Sequence, residues 1–151
     1  MKQSQRLGVV LALEERKEQA ALEDLQKAQA RLHAEQSRLE ELERYHGEYQ
    51  QQVRDASQGR VSVTRLQSWQ YFISQLTTAM GQQQRQIERC RQELARTRAL
   101  WQQAWERREG MARFIASCRE REQQAEDRRE QKAVDEAAGQ RFARRQQTRR
   151  R

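Results

Sequence analysis

The chain has 151 residues, of which 34% are charged and 35% are hydrophobic, and it contains no proline. This composition is too polar to fill the core of a compact domain of that length, whereas a narrow seam between helices needs far fewer apolar side chains. The formal net charge is +8, and the lack of any run of about 20 apolar residues excludes a transmembrane helix.

The first predicted helix spans residues 4–57 and carries a sevenfold apolar repeat that His46 interrupts. The repeat includes Leu25, Leu32, Leu39 and Val53. Such a pattern is typical of a helix edge that packs against a partner helix. Disorder is the competing interpretation of so polar a sequence, but a disordered chain has no reason to keep a sevenfold spacing.

The amino-terminal segment does not resemble a targeting sequence. Residues 1–13 lack the long apolar run and the small-residue cleavage site of a signal peptide. We therefore expect a cytoplasmic protein.

A polar break predicts a turn over residues 57–62. The heptad fails there, Gly59 is suited to a chain reversal, and the Ser62 hydroxyl is placed to cap the next helix. The second predicted helix spans residues 63–137 and carries its own sevenfold repeat. That repeat contains Leu66, Ile73, Met80, Ile87, Leu94 and Trp101.

Two helices joined by a short turn predict an all-α fold, a long two-helix antiparallel coiled-coil hairpin with an overhanging C-terminal helix. We expect it to form a single coiled-coil domain over residues 1–151. In this pairing the residue numbers of facing seam positions sum to 122. Glu14 then faces Arg108 within the seam, and pairing ends near Ser4 and Cys118. A homodimeric coiled coil is the structural alternative.

Residues 138–151 form a predicted basic tail, and Gly139 at its beginning is the predicted stop of the second helix. Six arginines and no acidic residue follow Ala137. A tail of this kind suits RNA, anionic lipid headgroups or an acidic protein surface. A solvated, frayed chain end is the other interpretation.

Several large apolar residues lie beside the seam in the half nearer the turn. Tyr45, Phe72 and Ala79 occupy position g, and the g positions of antiparallel helices border the same side. An exposed apolar surface there is a candidate protein-binding site. For the seam positions Tyr49 and Leu76, the alternative that the side chains only widen the seam is at least as well founded as direct contact, whereas for Tyr45 and Phe72 we favour binding. The whole set is Leu42, Tyr45, Tyr49, Phe72, Leu76 and Ala79.

A second apolar patch is predicted at the end that carries both termini. Val10 and Phe114 are both at position g, and their numbers place them near each other in the pairing. The patch comprises Val10, Leu13, Leu100, Trp105 and Phe114.

No arrangement for catalysis, a cofactor or a metal stands out. His33 and His46 lie at positions b and a without an associated nucleophile or carboxylate array. The sequence has no phosphate loop, CxxC pair or HExxH helix. Cys90 and Cys118 are too far apart along one helix for a disulfide. We expect a non-enzymatic interaction protein with no cofactor, metal or small-molecule substrate.

Motifs in order along nearly the whole chain carry a family resemblance. They are Arg6, Leu7, Val10, Leu11 and Leu13; LEELERYHGEY from Leu39 to Tyr49; Gly59 to Ile73; Ala79, Gln83 and Gln84; Arg98 with Trp101; and EQKAVDE from Glu130 to Glu136. Together they resemble the FliJ family of flagellar export proteins, whose counterpart in virulence injectisomes is the YscO family.

The resemblance implies a soluble, non-enzymatic component of the flagellar type III protein export apparatus, similar in fold to the central stalk of rotary ATP synthases. It implies binding to the hexameric export ATPase, whose assembly such proteins promote, to the cytoplasmic domain of the export gate protein FlhA, and to export chaperones. It places the protein on the cytoplasmic side of the inner membrane as a peripheral component. The expected processes are flagellum biogenesis, motility and chemotaxis.

The resemblance also assigns roles to particular residues. The gate-binding surface of the family carries over onto Leu42, Tyr45, Tyr49, Phe72, Leu76 and Ala79, and Arg38 and Gln83 continue that stripe. The end with both termini enters the ATPase ring, which makes Val10, Leu13 and Phe114 the candidate ring contacts. Two rivals are a basic coiled-coil protein that binds nucleic acid through the arginine tail and a homodimeric scaffold, but we expect no nucleic-acid partner.

Overall fold

A computed structural model describes residues 2–59 and 61–150 and contains two α-helices. Helix α1 spans Gln3–Ser57, and helix α2 spans Val63–Arg149. They pack against each other as an all-α helical hairpin, with no strand in the described ranges. The predicted fold class is confirmed.

The seam between α1 and α2 follows the heptad repeat. Seven residues make almost two helical turns, so positions a and d return to the same edge of the helix. Each fully buried leucine or isoleucine contributes about 1.5–3 kcal/mol of hydrophobic free energy, so a few seam residues are enough to hold the pairing. All ten buried residues of the described chain lie in the a or d rows. They are Ser4, Leu25, Ala28, Leu76, Gln83, Ile87, Cys90, Thr97, Ile115 and Cys118.

The chain divides into two compact units. One is the segment Gln19–Gln103, and the other combines the residues up to Glu18 with those from Ala104 onward. Each unit contains part of α1 and part of α2. The expectation of one coiled-coil domain over the whole chain stays a prediction.

Within the unit Gln19–Gln103 the two helix segments run antiparallel. The rings of Tyr49 and Phe72 have centroids 4.6 Å apart, and the side-chain amide of Gln83 donates to the backbone carbonyl oxygen of Glu35 at 2.9 Å. The residue numbers of these pairs sum to 121 and 118. The first sum differs from the predicted 122 by one residue and the second by four residues, about one helical turn.

In the unit formed by the chain ends, pairing extends one turn beyond the predicted limit at Cys118. The backbone N–H of Ser4 donates to Oε1 of Glu122 at 3.1 Å, and the Ser4 hydroxyl donates to Oε2 at 2.7 Å. Ser4 is only 4% exposed. The carboxylate of Glu122 therefore covers the beginning of α1.

The predicted ion pair between Glu14 and Arg108 does not form. Arg108 instead approaches Glu18 at 3.9 Å and its neighbour Glu109 at 3.3 Å, while Glu14 lies 3.9 Å from Lys17. Long side chains on a helix point toward its N-terminus. The guanidinium of Arg108 is therefore displaced toward the preceding turn of α2, which faces Glu18 rather than Glu14.

The turn begins with a tightened end of α1. The N–H groups of Gln58 and Gly59 bond to the carbonyl oxygens of Asp55 at 3.3 Å and Ala56 at 3.1 Å, the spacing typical of a 3₁₀ turn. No glycine in the described part of the chain has positive φ. The chain therefore reverses between Ser57 and Val63 without a left-handed conformation at Gly59.

The start of α2 is capped by a serine. The Ser62 hydroxyl accepts a hydrogen bond from the N–H of Arg65 at 3.2 Å, which satisfies one of the unpaired donors in the first helical turn. This confirms the predicted cap. Arg60, which belongs to the predicted turn, lies outside the described residues.

Helix α2 continues past the predicted stop at Gly139. It ends at Arg149 rather than near residue 137, because one glycine costs only about 1 kcal/mol in a helix interior and the flanking residues are strong helix formers. Residues 127–150 are all exposed. The predicted basic tail is therefore a solvent-exposed helix as far as Arg149, while Arg151 lies outside the described residues.

Candidate partner-binding surface

The apolar flank lies within the unit Gln19–Gln103 and draws on both helices. Helix α1 contributes three of its residues and helix α2 the other three. The apolar flank comprises Leu42, Tyr45, Tyr49, Phe72, Leu76 and Ala79.

One ring contact and one shared groove join the α1 and α2 sides of the apolar flank. The Tyr49 and Phe72 rings, with centroids 4.6 Å apart, are tilted by 52°, within the range of favourable aromatic pairs. Leu42 and Ala79 line a common groove of about 330 Å³. The structure thus brings together residues that are far apart in the sequence.

Members of the apolar flank differ in how much surface they offer. Tyr45 and Phe72 are each 44% exposed, whereas Leu76 is 9% exposed. The guanidinium of Arg44 lies 5.3 Å from the centroid of the Tyr45 ring, a cation–π distance. Leu76 is therefore mainly a seam residue, and the two exposed rings form the accessible part. The assignment of these residues to gate binding stays a prediction.

The three candidate ring contacts belong to the unit formed by the chain ends. Val10 is 38% exposed, Leu13 is 48% exposed and Phe114 is 45% exposed. Trp105 is 38% exposed in the same unit, and Leu100 is 45% exposed in the unit Gln19–Gln103. These side chains are accessible to a partner, and their role in ring binding stays a prediction.

The histidine and cysteine side chains that could take part in catalysis or metal binding are not grouped into one site. Nε2 of His46 lies 3.4 Å from the Thr77 hydroxyl, and Cys90 and Cys118 are free and buried. Among residues 2–59 and 61–150, no group of three His, Cys, Asp or Glu side chains is placed to hold a metal ion. No helix in those ranges has the length and hydrophobicity needed to cross a membrane. The site that the geometry offers is a surface.

The sequence analysis did not identify some of the exposed apolar residues. Tyr71 is 67% exposed and Val63 is 69% exposed near the start of α2, and Phe142 is 64% exposed near its end. The heptad contains a signal for Tyr71, because position f points away from the seam and gives an aromatic ring nothing to cover. Single exposed apolar residues are common on proteins, so these three serve best as controls.

Comparison with known proteins identifies a family. A family model described as flagellar FliJ protein matches residues 2–147 of the 151. No curated protein and no solved structure matches the chain. The family match covers nearly the whole sequence, and the helical hairpin agrees with the resemblance noted from its motifs. The chain therefore belongs to the FliJ family of flagellar proteins.

Proposed function

We propose that this chain is a stalk-like coiled coil that binds the hexameric export ATPase, promotes assembly of its ring and couples it to the export gate. Membership of the FliJ family makes the chain a component of the flagellar export apparatus, in a family of non-enzymatic proteins. The proposal adds the partners, a position on the cytoplasmic side of the inner membrane, and the escort of export chaperones.

The exposure of Tyr45 and Phe72 carries the proposal. Each residue is 44% exposed, and the ten buried residues in the described part of the chain lie elsewhere in the seam, so neither ring is needed to fill it. Aromatic side chains provide a large contact area and are frequent hot spots of protein interfaces. Their exposure supports binding of the cytoplasmic domain of FlhA by the apolar flank.

The ATPase contact rests on the other apolar patch. Val10, Leu13 and Phe114 offer apolar surface in the unit formed by the chain ends. The exposed part of α2 over residues 127–150 belongs to the same unit and provides additional accessible helix. Both features support an ATPase ring as the partner of this unit.

The gate contact is tested with the double variant Tyr45→Ala and Phe72→Ala in the full-length chain. Both side chains are partly exposed, so the helix content should remain that of the wild type. Binding to the purified cytoplasmic domain of FlhA should weaken by about tenfold or more, since hot-spot aromatics typically contribute at least 2 kcal/mol. Swimming should be lost.

The matched control is Tyr71→Ala with Phe142→Ala. It removes the same two residue types from positions that are 67% and 64% exposed and lie outside the apolar flank. The control should bind the gate domain like the wild type. Normal gate binding and motility in the Tyr45 and Phe72 variant would remove the apolar flank from the proposed function.

The ring contact is tested with Val10→Asp and Phe114→Asp. Carboxylates at these exposed positions should abolish stimulation of the purified export ATPase without unfolding either helix. The control is Val63→Asp with Tyr71→Asp, which introduces the same charges beside the turn. Full stimulation by the Val10 and Phe114 variant would show that these residues do not contact the ring.

A further inference from the structure

A groove continues from the apolar flank along the same side of the seam. Its first part holds about 330 Å³ and its second part about 460 Å³. Gln86 lines both parts, so they are adjoining sections of one surface. We call this surface the flank groove. Its residues are Ala28, Arg31, Arg38, Leu42, Ala79, Gln82, Gln83, Gln86, Arg89, Cys90 and Glu93.

Small side chains form the floor of the second part of the flank groove. Ala28 is 9% exposed and Cys90 is 5% exposed, both at seam position d. A leucine at either position would fill more of the space between the helices. The short side chains leave a depression into which a partner side chain can enter.

The flank groove carries an excess of positive charge. Arg31, Arg38 and Arg89 are exposed, and among the described residues no carboxylate oxygen lies within 4.0 Å of any of them. The acidic residue Glu93 is engaged mainly by Arg96, whose Nε donates to its Oε2 at 3.0 Å, and the charge of Arg31 acts on it more weakly from beyond 4.0 Å. This hydrogen bond is the main reason that the pKa of Glu93 lies below its ordinary value.

One tyrosine and two arginines along the flank groove have the spacing of side chains on one edge of a helix. Tyr45, Arg38 and Arg31 are successive g positions of α1, seven residues and about 10.5 Å apart at 1.5 Å per residue. A partner helix lying along the groove presents side chains at the same interval. An extended segment advances about 3.3 Å per residue and alternates its side chains between two faces. Its side chains on one face are therefore about 6.6 Å apart, which does not match the spacing of about 10.5 Å between these residues.

We propose that the flank groove binds an acidic helix of the gate-side partner, with an apolar residue against Tyr45 and carboxylates at the next two heptad positions against Arg38 and Arg31. Guanidinium groups pair with carboxylates through two parallel hydrogen bonds, which adds geometric specificity to the attraction. The inference rests on the proposed function, because it treats the apolar flank as the first part of the same binding surface.

The test uses the full-length chain and a fluorescent synthetic helical peptide with one leucine and two glutamates at successive heptad positions, prepared in both sequence directions. Fluorescence anisotropy should show saturable binding that weakens as salt is added. Arg31→Glu with Arg38→Glu should weaken binding by about tenfold or more. A peptide with lysines in place of the glutamates should not bind.

The matched control is Arg16→Glu with Arg85→Glu. Both arginines are exposed at position f, on the outer face of their helices, and no described carboxylate lies within 4.0 Å of either. This variant has the same net charge as the test variant and should bind the glutamate peptide like the wild type. Equal weakening by the two variants, equal binding of the lysine peptide, or no binding of the glutamate peptide would overturn the proposal.

Binding of the purified FlhA cytoplasmic domain to the same variants separates this inference from the proposed function. Loss of binding with Tyr45→Ala and Phe72→Ala but not with Arg31→Glu and Arg38→Glu would leave the gate contact intact and refute the acidic helix. No effect of either pair would refute the gate contact itself.

Discussion

The side-chain amide of Gln83 crosses the seam and donates to the backbone carbonyl oxygen of Glu35 at 2.9 Å, and also to the Glu35 carboxylate. Gln83 is 8% exposed at a d position that an apolar residue would normally occupy. A single polar residue in a helical seam reduces stability but disfavours pairings in which its hydrogen bonds are lost. The contact between Gln83 and Glu35 therefore helps to fix which turns of α1 and α2 meet.

Replacing Gln83 by Leu should weaken the specificity of the hairpin with little change in its stability. Burying a leucine gains about 1.5–3 kcal/mol, while the two lost hydrogen bonds are worth about 0.5–1.5 kcal/mol each, so the two effects nearly cancel. Urea unfolding should show a change of less than about 1 kcal/mol, and light scattering should detect dimers absent from the wild type. Gln92→Leu, an exposed position on the same helix, is the control. A less stable and strictly monomeric Gln83→Leu protein would contradict this role.

Glu122 should protect the beginning of α1. Its carboxylate accepts from both the hydroxyl and the backbone N–H of Ser4, which satisfies a donor in the first helical turn and places a negative charge at the positive end of the helix. In Glu122→Gln, amide hydrogens near Ser4 should exchange severalfold faster with solvent, while exchange near Ile87 stays unchanged. Equal protection in both proteins would show that Glu122 does not stabilise this end.

The same contact predicts a pH dependence. The hydrogen bond from the Ser4 hydroxyl, followed by that from its backbone, lowers the pKa of Glu122 below the ordinary value of 4.5. A lowered pKa in the folded state means that the stabilisation is complete above pH 4.5 and is lost as the pH falls through the folded pKa. The difference in Ser4 exchange between wild type and Glu122→Gln should therefore be present at pH 7 and disappear in acid. If the difference in Ser4 exchange persists at a pH at which Glu122 is fully protonated, the carboxylate is excluded as its cause.

The heptad pattern was sufficient to predict the fold, because it determines which side chains a helix can bury. Leu25 and Ile87 are both buried where the a row places them. The pattern assigns a position to each Cβ but does not follow a long side chain to its end. For that reason it paired Arg108 with Glu14, although the guanidinium reaches Glu18 one turn away. The carboxylate of Glu122 bonds across the pairing to Ser4 for the same reason.

The candidate site was less predictable, because exposure depends on the packing of both helices. The sequence grouped Leu76 with Tyr45, yet Leu76 is 9% exposed and Tyr45 is 44% exposed. A g position lies beside the seam and a d position within it, so equal hydrophobicity leads to different accessibility. The flank groove could not be predicted either, since its depth depends on two small residues, Ala28 and Cys90, that lie on different helices.

Leu76 should matter for stability more than for direct recognition. Its side chain is buried in the seam, so Leu76→Ala removes apolar burial and leaves a cavity, at a cost of about 2–4 kcal/mol in the free energy of unfolding. Urea unfolding should show this loss, whereas Tyr45→Ala should cost less than about 1 kcal/mol. A Leu76→Ala protein of wild-type stability would instead place this residue among the accessible members of the apolar flank.

Gly139 should be a weak point of the exposed helix. A Cβ at this position meets nothing within 4 Å, and alanine is more favourable than glycine in a helix interior by about 1 kcal/mol. Gly139→Ala should therefore slow amide exchange around residues 136–143 without changing the rest of the chain. Gly139→Pro should break the helix there. If Gly139→Ala leaves exchange fast, the helix does not continue through this residue in solution.

Removing residues 141–151 should separate the export function from the rival role in binding nucleic acid. All buried residues of the described chain lie from Ser4 to Cys118, so the truncated protein should melt within about 2 °C of the full chain. It should also retain gate binding, because the apolar flank and the flank groove are untouched.

A nucleic-acid binder would lose its affinity, since phosphate contacts by arginine dominate such binding and give it a steep salt dependence. Anisotropy with single-stranded RNA at two salt concentrations measures this directly. The control is the full chain with Gln at Arg141, Arg144, Arg145 and Arg149, which keeps strong helix formers but removes most of the charge. Salt-dependent RNA binding by the full chain, lost together with motility in both variants, would favour the nucleic-acid role over the stalk.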